Sequence, residues 1–123
     1  MKEFDILLAI ARRKKVIDQG SDWSNGSNTY LTEIKNEIEE VIDEIPKNRS
    51  CYLEEELGDV LWDYLNILIN LEKESGINVD SVLKRTCNKY EERISGVENG
   101  ESWQDIKVRQ KVALENEQSL FKN

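Results

Sequence analysis

Two stretches of this sequence carry carboxylates at spacings that could do chemistry. Between residues 52 and 74, Glu56, Asp59, Asp63, Asn66 and Asn70 follow one another at intervals of three, four, three and four. On an α-helix that alternation keeps every member in one lane. The stretch is apolar on both sides of the lane. Leu53, Leu57, Val60, Leu61, Tyr64, Leu65, Ile67, Leu68 and Leu71 cover most of the circumference, and Trp62 and Ile69 occupy another side. Burying an unpaired carboxylate costs several kcal/mol, so carboxylates between apolar walls should meet cations. No lysine or arginine occurs on this stretch before Lys73. A divalent metal ion is the economical partner for Glu56, Asp59 and Asp63, with a buried polar network as the other reading.

The second stretch, residues 29–45, carries a stripe of Glu33, Glu37, Glu40 and Glu44. It runs beside Leu31, Ile34, Ile38, Val41, Ile42 and Ile45, whose spacing predicts one buried face. At about 100° per residue, Glu37 lies at the apolar edge next to Val41, with Glu40 one turn further on. Glu33, Glu39 and Glu44 read as an ordinary solvated face. Two helices that each offer acid-x-x-acid can form an oxygen cage for Mg²⁺ or Mn²⁺. Mg²⁺ binds through few carboxylates, keeps several waters and takes phosphate oxygens from a substrate. That chemistry suits hydrolysis of a polyphosphate.

The bulk composition narrows the choice. The chain has 123 residues, which predicts one domain, and its net charge is −8. A field of that sign repels nucleic acid, yet a metal ion can reverse it locally and admit a polyphosphate. There are no histidines, which removes histidine bases and histidine-bearing zinc or di-iron sites. Cys51 and Cys87 form no CxxC pair and read as ordinary small residues of a reducing compartment. The first ten residues include Lys2, Glu3 and Asp5, so they lack the apolar core of a signal peptide. No stretch approaches the ~20 apolar residues needed to cross a bilayer. A cytoplasmic location without membrane contact is expected.

Sparse glycine and a single proline, Pro46, make helices the default. Helices are predicted over about residues 3–18, 29–45, 52–74, 80–95 and 102–121. Pro46, Gly76 and Gly96 are the expected stops, and Asp80 is a candidate cap. A polar loop around Trp23 separates the first two helices.

At this point the residues resemble a known family. Glu37-Ile38-Glu39-Glu40, a loop, then Glu56-Leu57-Gly58-Asp59 is similar to the ExxE…ExxD signature of MazG-type nucleotide pyrophosphohydrolases. Glu55 to Trp62 is close to that family's ELGDLLF segment, and Trp23 sits where it has a CPWD-type segment. Lys89-Tyr90-Glu91-Glu92-Arg93 followed by Val97, and Trp103-Gln104-Asp105-Ile106-Lys107, match further elements in order. The resemblance covers roughly residues 20–110.

It implies an all-α fold, an antiparallel helical bundle of four core helices plus a C-terminal helix, assembled as a homodimer or homotetramer. It implies cleavage of a nucleoside triphosphate between the α and β phosphates, giving monophosphate and pyrophosphate. Carried over by position, Glu37, Glu40, Glu56 and Asp59 are the implied Mg²⁺ ligands, and Asp63 is an extra or supporting one. Lys89 and Arg93, otherwise a solvated i,i+4 pair, are implied to contact phosphates. Trp23 and Trp62 are implied to stack on the base, with a place in the core as the alternative for each. The chain departs from the pattern at Asn36, where the family often has a second glutamate, and at Ser21 and Asp22, before the loop tryptophan. Two other readings remain: a relative restricted to a pyrimidine substrate such as dUTP or dCTP, and a non-enzymatic acidic module that binds a basic partner.

Overall fold

The computed structural model describes residues 2–121 as five α-helices with no strand among the described residues. They are α1 (Lys2–Gln19), α2 (Ser27–Glu44), α3 (Ser50–Ser75), α4 (Val79–Glu98) and α5 (Trp103–Leu120), with a 3₁₀ turn, Ile45–Lys47, between α2 and α3. The fold is all-α, as the sequence predicts. The chain divides into two compact units, Met1–Val79 and Asp80–Asn123.

In the first unit α1 and α2 both pack on α3. Its core is Ala11, Tyr30, Leu65, Ile67, Leu68, Ile69 and Val79, all buried. Helix α2 stops at Glu44 because Pro46 cannot continue it, and Asn48 turns the chain with φ 56°. Arg49 clamps this turn by donating Nε and Nη2 to the Glu44 carboxylate at 3.0 and 2.8 Å. At the opposite end of the pair, the Glu74 carboxylate accepts from the Ser27 amide at 2.9 Å and from its hydroxyl at 2.5 Å. A carboxylate from α3 therefore caps the start of α2, where the helix dipole favours negative charge. Gly26 allows this, since its φ is +68° and a Cβ there would collide with Glu74. The two clamps make α2 and α3 antiparallel and fix their register.

The apolar stripe on α2 departs from expectation. Ile38, Ile42 and Ile45 are 45%, 54% and 56% exposed, and Leu31 is exposed too. The residues that α2 buries within the chain are Ser27, Tyr30 and Glu44. Periodicity identifies a face that water disfavours, but not the surface that covers it.

In the second unit α4 and α5 form an antiparallel hairpin. Ser102 caps α5, its hydroxyl accepting from the Asp105 amide at 3.0 Å. Helix α4 was expected to stop before Gly96 but runs on to Glu98. Gly96 is there for contact, not for termination. A Cβ at Gly96 would lie 2.6 Å from Cδ1 of Ile106, which is fully buried. The turn comes at Gly100, with φ +94°. Asp80, expected as a cap, instead lies within the first turn of α4.

Candidate metal and phosphate site

Helices α2 and α3 bring Glu37, Glu56 and Asp59 together. Each offers a carboxylate oxygen, and the three oxygens lie within 4.8 Å of one another. The lane on α3 grades from solvent to interior. Asp59 is exposed, Glu56 is half-buried, and Asp63, Asn66 and Asn70 are buried at 6%, 0% and 0% exposure. The lane turns inward only from Asp63 onward; around Glu56 and Asp59 the expected apolar walls are open, since Leu57, Leu61 and Tyr64 are themselves exposed.

The electrostatics are those of an unbalanced anionic pocket. Glu37 is pushed up to about 7, first by burial and then by hydrogen bonding to Glu40 and by the charges of Glu40, Asp59 and Asp63. Burial and the Glu40 carboxylate raise Glu56 as well. Asp63 is pushed up to about 6 by burial, with Glu33 and Asp59 adding repulsion. Glu40 is exposed and lies outside the tight trio, yet it touches the titration of two of its members. Four buried side-chain oxygens have no hydrogen-bond partner among the described residues: Glu37 Oε2, Glu56 Oε2, Asp63 Oδ2 and Asn66 Oδ1. All are acceptors, and two belong to the trio. An all-oxygen, multiply anionic donor set with unsatisfied oxygens fits a hard divalent cation such as Mg²⁺ or Mn²⁺.

Deeper in the lane the cation is protein. Lys15 Nζ donates to Asn70 Oδ1 at 2.6 Å, and Asn70 and Asn66 use their amide nitrogens on helix carbonyls. Sequence reading missed a second buried cluster, in which Lys14 and the Tyr30 hydroxyl both donate to the Asp18 carboxylate. Lys14 also donates to the Tyr30 oxygen at 3.2 Å. The i,i+4 spacing of Lys14 and Asp18 was a signal, whereas Tyr30 joins them only through the tertiary fold. Burial and the hydrogen bond to Asp18 hold the Tyr30 phenol well above its usual range.

The two tryptophans implied for base stacking differ in setting. Trp23 is 54% exposed, edge-on to Tyr30 at 5.7 Å, with Lys14 Nζ 4.3 Å from its ring centre. Trp62 is half-buried and lines a groove of about 270 Å³ with Ile10, Arg13, Lys14 and Ile17. Lys14 thus borders both rings.

Lys89 and Arg93 belong to the second unit. They line a groove of about 990 Å³ between α4 and α5, shared with Arg85, Lys107, Arg109 and Lys111. Arg85 is paired with Glu117, and Arg109 with Glu92 and Glu101. Arg93 is 8% exposed and forms no ion pair among the described residues. Its Nε donates to Gln110 Oε1 at 2.7 Å, and its guanidinium lies over Tyr90 at 5.3 Å and Trp103 at 5.1 Å. Nothing in the sequence spacing pointed to Gln110.

Helices α2 and α3 of this all-helical protein thus gather Glu37, Glu56 and Asp59 into a group that could hold a metal ion. Residues 25–97 match the MazG nucleotide pyrophosphohydrolase domain, more than half of the chain, and the chain belongs to that family. Comparison with curated proteins and with solved structures returns no match. No helix among the described residues is long and apolar enough to cross a membrane.

Proposed function

We propose that this chain is a cytoplasmic, Mg²⁺-dependent nucleoside triphosphate pyrophosphohydrolase: NTP + H₂O → NMP + PPi, with cleavage between the α and β phosphates. The observation that carries the proposal is the convergence of Glu37, Glu56 and Asp59 with buried, unpartnered oxygens on two of them. These three, with Glu40 beside Glu37, would hold the cation, and Asp63 would support them from one turn deeper in the lane. Mg²⁺, or Mn²⁺ in its place, supplies charge neutralisation at the phosphate oxygens. The carboxylates orient the attacking water and accept its proton. Lys89 and Arg93 bind phosphate oxygens, for which the arginine fork is suited. Trp23 and Trp62 bind the base, and the replacement of the family's residues by Ser21 and Asp22 leaves the preferred base to experiment.

The inward burial of Asp63 and Asn66 weighs against an acidic module that binds a basic partner, because such a stripe should face water. Exposed apolar residues on α2 and α3, including Ile38, Ile42, Leu57 and Leu61, support assembly as a homodimer or homotetramer, which light scattering would test. The activity is tested by incubating the purified chain with each canonical NTP and dNTP and Mg²⁺. The expected products are monophosphate and pyrophosphate, with dUTP or dCTP alone marking a pyrimidine-restricted relative. Release of orthophosphate, or no turnover of any nucleotide, would overturn the proposal.

A further inference from the structure

Arg93 is nearly buried, yet no carboxylate neutralises it among the described residues. A desolvated cation without a counter-charge is costly, so its surroundings should show what keeps it there. Three side chains do. Tyr90 and Trp103 present their rings to the guanidinium at 5.3 and 5.1 Å, within the range of cation–π attraction. Gln110 accepts the Nε hydrogen at 2.7 Å.

The Gln110 amide cannot be turned round without loss. Its nitrogen donates to the Lys89 carbonyl at 2.9 Å and to Glu92 Oε1 at 2.8 Å. Exchanging oxygen and nitrogen would face N–H against the Arg93 N–H and oxygen against two acceptors. The oxygen is thereby fixed on Arg93. The same amide, together with Arg109, holds the carboxylate of Glu92, three residues after Lys89. Gln110 therefore anchors the guanidinium and engages the neighbouring carboxylate at the same time. The terminal nitrogens of Arg93 make no hydrogen bond to another described residue, and they are the two that a bidentate oxyanion needs.

We propose that Gln110, with Tyr90 and Trp103, is a positioning assembly that fixes the plane of the Arg93 guanidinium and reserves its two terminal nitrogens for a phosphate group. The inference rests on the reading that Arg93 meets substrate phosphate, and it assigns to Gln110 a role that acts through Arg93.

The test is a double-mutant cycle read by calorimetric titration with inorganic pyrophosphate, using the full chain and the variants Arg93→Ala, Gln110→Leu and the double variant. Arg93→Ala should weaken pyrophosphate binding, and Gln110→Leu should weaken it by about tenfold to a hundredfold, the range spanned by one hydrogen bond to a charged group. In the Arg93→Ala background, Gln110→Leu should have no further effect. A second cycle with Trp103→Leu gives the same pattern and covers the case in which Gln110→Leu does not fold. An equal loss in both backgrounds would show that Gln110 acts independently of Arg93 and would overturn the inference. Unchanged binding by Gln110→Leu, with Arg93→Ala impaired, overturns it while leaving the phosphate role of Arg93 intact. Unchanged binding by Arg93→Ala overturns the phosphate reading beneath it.

Discussion

Metal binding at the α2–α3 cage should depend steeply on pH, and the dependence follows from Glu37. Its carboxyl is pushed up to about 7, by burial and by negative neighbours, so at pH 5 it is protonated in the metal-free chain. A ligand oxygen must shed that proton to hold a cation. With a single proton at about 7, the proton competes by a factor of about a hundred at pH 5 and by almost nothing at pH 8. Mg²⁺ or Mn²⁺ should therefore bind about a hundredfold more tightly at pH 8 than at pH 5. Stability of the metal-free chain runs the other way. A carboxyl whose folded pKa is raised stabilises the fold below its unfolded value, near 4, and loses that contribution as pH rises through about 7. Glu56 and Asp63 are raised too and add in the same direction. The assay is thermal melting across pH 5–8, with and without metal. Without metal the melting temperature should fall as pH rises, and metal should restore it at pH 8 but barely at pH 5. A metal affinity that changes less than about threefold over that range would refute the argument, because no proton would then be displaced from the cage.

Glu56→Gln and Asp59→Asn should each abolish turnover while raising the metal-free melting temperature at pH 8, since each removes one charge from a repelling cluster; near-normal activity in both would remove the metal assignment. Tyr30→Phe deletes the phenol that donates to buried Asp18 and should cost about 1–3 kcal/mol in urea unfolding. Gly96→Ala should destabilise the chain by about 1 kcal/mol, overpacking against Ile106 outweighing the gain in helix propensity. The loss should shrink in an Ile106→Val background, which lacks the methyl 2.6 Å from the new Cβ. Arg93→Ala should raise KM for triphosphates with a smaller effect on kcat, as measured by steady-state kinetics.

The acidic lane was legible in the sequence because two independent patterns agreed. The three-four spacing placed Glu56, Asp59 and Asp63 on one face, and the apolar flanks turn its inner part, from Asp63 to Asn70, inward, while Asp59 and the flanking Leu57 and Leu61 stay exposed. Helix positions were legible for a similar reason, with Pro46 and Gly76 ending helices where expected. Gly96 misled because its helix-breaking tendency and its lack of a side chain are different properties, and the fold uses the second. The α2 stripe misled because spacing ranks faces by their dislike of water without naming a neighbour. Lys14 with Tyr30, and Arg93 with Gln110, were invisible for another reason. Each pair is more than a dozen residues apart in the chain, and no local rule links them.

The clamps at the two ends of the α2–α3 pair have a kinetic consequence. Glu74 on Ser27 ties the end of α3 to the start of α2, and Arg49 on Glu44 closes the turn between them, so the backbones that carry the acids are joined at both ends. The work of crowding those acids is done when the chain folds, not when an ion arrives. Loading then involves no large backbone rearrangement and is governed by how fast the incoming ion sheds its hydration water. Mg²⁺, which dehydrates reluctantly, should enter more slowly than Mn²⁺, even where the two bind equally well at equilibrium.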